Sequence, residues 1–183
     1  MRLSATFFVF CSLLAAGEFP IGSRLDSLSF SGPGAPASIQ TSAAKATVVV
    51  FVSVQCPVSN SYNGRLASLY TDYSSQGVQF AFVNANATES LSDVEAHENW
   101  PFQVVKDNGS TLADKLGAEH TPEAFVFDRN GTLVYHGRVD DSMQENDVKQ
   151  RDLRAALDAV LAGRPVPVAE TRAFGCSIKR AAR

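Results

Sequence analysis

The stretch Ala46-Thr-Val-Val-Val-Phe-Val-Ser-Val-Gln-Cys56-Pro57-Val58-Ser59-Asn60 decides the fold. Its unbroken β-branched and aromatic run predicts a buried central strand, and that strand runs directly into a cysteine followed by a proline. Pro57 suits the first position of a helix. Cys56 is thereby placed at a helix N-terminus, where unsatisfied N–H groups and the macrodipole favour a thiolate over a thiol. An inert buried cysteine is the plainer alternative, but a strand end joined to a proline-started helix is a poor place for one.

A chain of 183 residues with 45% hydrophobic and 19% charged residues is long enough to bury a full core, and one globular domain is expected. The formal charge of -3 leaves no basic footprint, which argues against nucleic acid as a partner. At the N-terminus, Met1-Arg2 is followed by an apolar run from Leu3 to Ala16 that ends in small residues. This is the pattern of a secretory signal peptide over residues 1–17, cleaved near Gly17; an uncleaved anchor would need a run of about 20 apolar residues. The protein is therefore expected outside the cytoplasm, periplasmic or extracytoplasmic, meeting the membrane only through export. Cys11 leaves with the peptide. Cys56 and Cys176 then remain in a compartment that permits disulfides, either bonded to each other or sharing a ligand.

Residues 19–45 are rich in Gly, Pro, Ser and Ala, with short apolar pieces at 25–30 and 37–40 that read as edge strands before the core. After Pro57, Tyr62, Leu66, Leu69, Tyr70 and Tyr73 recur at helical spacing up to a cap at Gly77, and Val78 to Val83 forms the next strand, parallel to the first. A loop from Asn84 to Thr88 precedes a helix through Val94 to Asn99, capped by Thr88 or Ser90 and stopped by Trp100-Pro101. Phe102 to Val105 reads as a short strand, and Ser110 caps a short helix ending at Gly117. Ala124 to Phe127 and Thr132 to Tyr135 form a hairpin about Asp128-Arg129-Asn130-Gly131. A polar loop and an amphipathic helix from Val148 to Leu161 follow, then an extended segment from Arg164 to Val168 and a tail containing Gly175-Cys176-Ser177.

This order of elements is α/β with a central mixed sheet flanked by helices. The block from Val48 to Leu161 resembles the thioredoxin fold in its redoxin branch, the peroxiredoxin-like (AhpC/TSA) and TlpA-like proteins. Three stretches carry the resemblance: Val48 to Pro57, Phe102 to Gly117, and Thr121-Pro-Glu-Ala-Phe-Val-Phe-Asp-Arg-Asn-Gly131. The expected organisation is a thioredoxin-like domain over residues 18–168, with an N-terminal strand extension, and a C-terminal tail over 169–183 that carries Cys176.

The resemblance implies a cis peptide before Pro122, with the backbone of Thr121 facing the nucleophilic Cys56 and offering an edge where an extended peptide or disulfide could be held. Thioredoxin-type reductants carry a second cysteine three residues after the first, but Ser59 stands there in this chain. Cys176 is then the candidate resolving thiol, as in an atypical two-cysteine peroxiredoxin; a permanent disulfide that silences Cys56 is the alternative. Ser53 matches the hydroxyl that peroxiredoxins place beside their thiolate, whereas Val49 replaces their proline. Arg138 is the nearest candidate for their late-strand arginine, with a solvated pair to Asp140 or Asp141 as the alternative.

His120 matches the copper-ligand histidine of Sco-type chaperones. Cys56, His120 and Cys176 would make a soft copper site, although Asn60 stands where those proteins have a second cysteine. A solvent-exposed loop histidine is the simpler reading. Glu123 reads as a proton shuttle or as an exposed strand-edge charge. His97 and His136 read as surface residues, and Trp100 and the tyrosines as core packing. Two function classes follow: an exported thiol oxidoreductase acting on a disulfide or peroxide, and a copper-delivery module. Nothing in the sequence binds a nicotinamide or flavin, so the first class needs an external thiol protein as reductant.

Overall fold

The computed structural model describes residues 19–30, 38–97, 100 and 102–182. The expected signal peptide and Cys11 lie outside them. In chain order the elements are β1 (Ser27–Ser29), β2 (Ser38–Gln40), β3 (Ala46–Phe51), α1 (Pro57–Ser61), α2 (Asn63–Ser74), β4 (Val78–Asn84) and α3 (Leu91–Glu95). They continue with β5 (Val104–Lys106), α4 (Thr111–Leu116), β6 (His120–Thr121), β7 (Glu123–Asp128), β8 (Leu133–Gly137), α5 (Asp152–Leu161) and β9 (Cys176–Ser177).

The main sheet has five strands in the order β5-β4-β3-β7-β8, parallel across β5, β4 and β3 and antiparallel beyond. All six residues of β3 are buried because both sheet faces are covered. Alternation sends Val48 and Val50 to one face, against Leu66, Leu69 and Tyr73 of α2 and Leu153 and Leu157 of α5. Val49 and Phe51 go to the other face, against Leu112 and Leu116 of α4, Leu28 of β1, which pairs antiparallel with β2, and Leu25 just before it. At about 1.5–3 kcal/mol for each fully buried large apolar side chain, these two layers dominate the fold's stability. They fix the carboxyl end of β3, and with it Cys56, against the neighbouring strands. This is the thioredoxin-like α/β arrangement that the sequence implied.

Several boundaries differ from expectation, each for a local reason. The helix after Pro57 breaks at Tyr62, whose N–H turns back to Ser59 O (3.0 Å) while its hydroxyl is held in the interior by Asp140 (2.9 Å). Ser90, not Thr88, caps α3, in a reciprocal box with Asp93. Phe102 does not start β5; its ring stacks on Phe82 in the core. The last helix begins at Asp152, not Val148, because Lys149 N donates to Asp141 Oδ1 (2.8 Å) and Asp141 N to Gln150 O (3.1 Å), committing that segment to the preceding loop. Tyr70 is 40% exposed, not in the core, with its ring edge-on to Phe80.

Arg65 is buried, although a charged residue in a helical stretch gives no sequence sign of it. It lies over the Tyr62 ring and gives two hydrogen bonds to the buried Asp140 carboxylate (2.8 and 2.7 Å), joining α2 to the loop after β8. Among the described residues, no helix is long and apolar enough to cross a membrane.

Candidate active site

Cys56 caps the N-terminus of α1, with Pro57 as the first helical residue. Its sulfur accepts the Ser59 N–H (3.2 Å), and its thiol donates to the carbonyl oxygen of Thr121 (3.3 Å). The Thr121–Pro122 peptide is cis, so the segment carrying Thr121 stands beside the sulfur as the resemblance implied. Ser53 Oγ accepts the Cys56 N–H (3.1 Å), and Ser59 Oγ accepts the Ser53 N–H (3.1 Å). Ser59, which stands where a second cysteine would close a local disulfide, therefore serves to hold the turn.

The second thiol comes from the tail. β9 pairs antiparallel with β6, setting Cys176 opposite Thr121 and Ser177 opposite His120. Both cysteines are free, with Cys56 only 2% exposed and Cys176 partly exposed. Burial pushes the Cys56 thiol up. Polar interactions with Cys176, the Ser59 amide and the Thr121 side chain outweigh burial and hold it below the ordinary cysteine value. Cys176 is pushed up to about 11, first by burial and then by its hydrogen bond to Cys56 and the charge there. Cys56 thus ionises first, with Cys176 as the protonated donor beside it.

A buried carboxylate that sequence reasoning missed holds the turn before Cys56. Glu89, 2% exposed, accepts from Ser53 Oγ (2.5 Å), Val54 N (3.0 Å), Gln55 N (3.1 Å), Asn86 Nδ2 (3.2 Å) and Asn84 Nδ2. Behind it the Lys106 ammonium donates to Asn84 Oδ1 (2.6 Å) and Asn86 O. Burial lowers the Lys106 pKa while the Glu89 and Asp107 charges oppose that shift. The signal was present in Asn84-Ala-Asn86-Ala-Thr-Glu89, polar residues clustered at the carboxyl end of a strand adjacent to β3, but it reads as an ordinary loop.

Glu123 is not an exposed charge, and its carboxylate is engaged by groups other than Cys56. It is 3% exposed; its Oε2 accepts the N–H groups of Glu119 and His120 (both 2.7 Å), and its Oε1 pairs with His136 Nε2 (2.6 Å). His136, expected at the surface, is stacked on Phe125 (4.3 Å), and the half-buried His97 packs against Trp100 (4.4 Å). Trp100 packs on the core, as expected. Arg138 does not reach the thiolate and does not pair with Asp140 or Asp141: its Nε holds Asp152 (2.7 Å) on α5. Asn60 Nδ2 bonds Val54 O (2.7 Å). His120 is half-buried on β6. Among the described residues, no group of three or more His, Cys, Asp or Glu side chains converges on a point that could hold a metal ion, so a copper set of Cys56, His120 and Cys176 is not assembled in this arrangement.

Residues 28–136, more than half of the chain, match the model of the AhpC/TSA family. The chain belongs to that family. It is similar to the thiol-disulfide oxidoreductase ResA of Halalkalibacterium halodurans, 26% identical over 131 residues that cover 71% of this chain and 72% of that protein. A hypothetical protein of Sinorhizobium meliloti 1021, solved by crystallography, is 32% identical, with TM-score 0.79 over 91% of this chain and 98% of that one. The thioredoxin domain of a thiol-disulfide oxidoreductase from Bacteroides vulgatus shares the fold, with TM-score 0.52 and 16% identity over 64% of this chain and 87% of that one.

Two outcomes follow for this AhpC/TSA-family site. In Cys176→Ala the thiolate of Cys56 loses its thiol donor, so its titration, followed by thiolate absorbance, moves to higher pH than in the wild type and less thiolate is present at neutral pH. A midpoint at or below the wild-type value would remove Cys176 as the donor. Glu89→Gln turns one acceptor oxygen into a donor facing donors, and denaturant unfolding should show a loss of about 1–3 kcal/mol. No loss would mean that the carboxylate does not hold the turn.

Proposed function

We propose that the protein is an exported thiol-disulfide oxidoreductase in which Cys56 is the nucleophile and Cys176 resolves the mixed disulfide. The pairing of β9 with β6, which sets the free Cys176 opposite Thr121 while the free Cys56 thiol bonds the Thr121 carbonyl oxygen (3.3 Å), carries this reading. Similarity to a thiol-disulfide oxidoreductase supports it.

The Cys56 thiolate attacks one sulfur of a substrate disulfide, forming the Cys56–substrate bond and expelling the other sulfur as a thiolate, which takes a proton. Once Cys56 is in the mixed disulfide its negative charge is gone, and with it one of the causes that keep Cys176 protonated. Cys176 loses its proton more readily, attacks Cys56 Sγ and releases the second substrate thiol. The substrate disulfide has then gained two electrons and the protein has become Cys56–Cys176 disulfide. An external thiol protein returns it to the dithiol.

Disulfide exchange is favoured over peroxide reduction because Arg138, the arginine expected to polarise a peroxide, is tied to Asp152, and Val49 replaces the peroxiredoxin proline. Thr121 and Pro122 orient the incoming disulfide, and Ser53 anchors the Cys56 amide. The N-terminal pattern of Met1-Arg2 and the apolar run to Ala16 supports export to the periplasm or beyond.

Rapid mixing of the reduced protein with a small model disulfide tests the mechanism, with hydrogen peroxide as a parallel arm. Wild type should reach the internal disulfide; Cys176→Ser should stop at a mixed disulfide visible by mass spectrometry; Cys56→Ser should not react. A Cys56→Ser protein as fast as wild type sinks the assignment, and a faster reaction with peroxide than with disulfide transfers it to a peroxidase. For export, N-terminal sequencing of protein recovered from outside the cytoplasm should begin within a few residues of Gly17. A chain starting at Met1 overturns that part.

A further inference from the structure

The backbone edge beside Cys56 is already occupied. β6 has β9 as its partner strand, and the pairing extends past it, with Ile178 N donating to Glu119 O (2.8 Å). The tail's seat is built along its length. Phe174 meets Tyr62 edge-on (6.4 Å), Ile178 is buried with α4 in the second core layer, and Lys179 exchanges hydrogen bonds with Asn86 Oδ1 (2.7 Å) and Ala87 N (2.6 Å). Arg180 binds Asp114 (2.6 Å) and Ala118 O (2.7 Å).

The fit is most restrictive just before the cysteine. Gly175 has φ +147, and a Cβ there would lie 2.1 Å from Thr121 O and 2.8 Å from Thr121 C. Only glycine lets the tail lie against this edge. The tail thus takes the antiparallel, hydrogen-bonded position that an extended polypeptide substrate would need in order to present a disulfide to Cys56.

We propose that β9 is a built-in occupant of the substrate edge that restricts Cys56 to small-molecule disulfides and excludes extended polypeptides while the tail is docked. This rests on the thiol-exchange reading above and names its substrate class. A small disulfide needs no strand partner along this edge. An extended chain needs the edge from Glu119 to Thr121, which it obtains only by displacing every anchor just described. The exchange runs as above: Cys56 bonds one substrate sulfur and the other leaves as thiol, then Cys176 attacks Cys56 Sγ and releases the second substrate thiol.

Two variants unseat the tail by different means. Gly175→Val drives a branched side chain into Thr121, and Ile178→Ser removes the buried anchor. The first readout involves no redox chemistry: calorimetric binding of a synthetic peptide with the sequence of residues 173–179, serine replacing the cysteine. It should bind both variants at least about tenfold more tightly than wild type, since the wild-type edge is occupied. The second is the ratio of reduction rates for the disulfides of insulin and for a small disulfide such as cystine, which should be low in wild type and rise about tenfold or more in both variants. Equal peptide binding by all three proteins, or a rate ratio that neither variant changes, overturns the proposal. If wild type reduces neither disulfide while the peptide still binds only the variants, the thiol-exchange reading falls and tail occupancy of the edge stands.

Discussion

A sulfur shielded from water can be ionised only if donors replace the lost hydration, and that constraint organises this molecule. Cys56 is almost wholly buried, yet its acidity is raised above that of an ordinary cysteine by donors from three separated parts of the chain: the first turn of α1, Thr121 beside the cis-proline, and the tail strand. None of these donors is local in the sense that a short motif could supply all of them. The sheet must set β3 and β7 side by side in register, Phe51 opposite Glu123, before Thr121 can stand over the sulfur. The tail must then return across β6 before Cys176 can donate.

Two buried carboxylates make that arrangement rigid, one under each wall of the site. Glu89 gathers main-chain donors from the turn leading to Cys56, and Glu123 gathers those of Glu119 and His120 on the way to the cis-proline. An isolated charge in such positions would be costly; several hydrogen bonds each, with Lys106 near the first and His136 against the second, supply the compensation. Loops held this way resist rearrangement more than loops held by apolar packing, because a small displacement leaves a buried donor or acceptor unpaired. Arg65 and Asp140 apply the same logic farther from the sulfur, tying α2 to the loop after β8.

The parts of this design legible in the sequence are those written in local pattern. The buried run of β3, the Cys-Pro junction, the parallel β4 and the hairpin after Thr121-Pro122 are each specified by residues within a few positions of one another. The misses share a different property. Ser53 and Glu89 are 36 residues apart, and Arg138 and Asp152 are 14 apart across a loop. A charged residue in a polar stretch gives no sign of whether it faces water or the interior until the fold has placed it. Glu123 therefore reads as a surface charge in the sequence but is buried in the fold, and Arg138, a candidate partner for the thiolate, is bound to Asp152 instead. The break at Tyr62 and the late start of α5 follow from a related cause, since bonds to Asp140 and Asp141, outside the helical stretches, override a continuous helical pattern.

Ser59 shows why the second thiol has to come from a distance. Its side chain accepts the Ser53 amide and its own amide donates to the sulfur, so the position is committed to shaping the turn. Moving the partner thiol to the tail makes redox state and tail position interdependent. In the dithiol form β9 is held by hydrogen bonds, Ile178 and Arg180, contacts that can be exchanged for others. A bond between Cys56 and Cys176 would add a covalent closure across most of the chain, which lowers the entropy of every arrangement in which the tail is elsewhere. Oxidation then strengthens the seating of the strand that covers the edge, and reduction weakens it. In the proposed exchange, the same residue governs both how a mixed disulfide is resolved and when the backbone beside the sulfur is free.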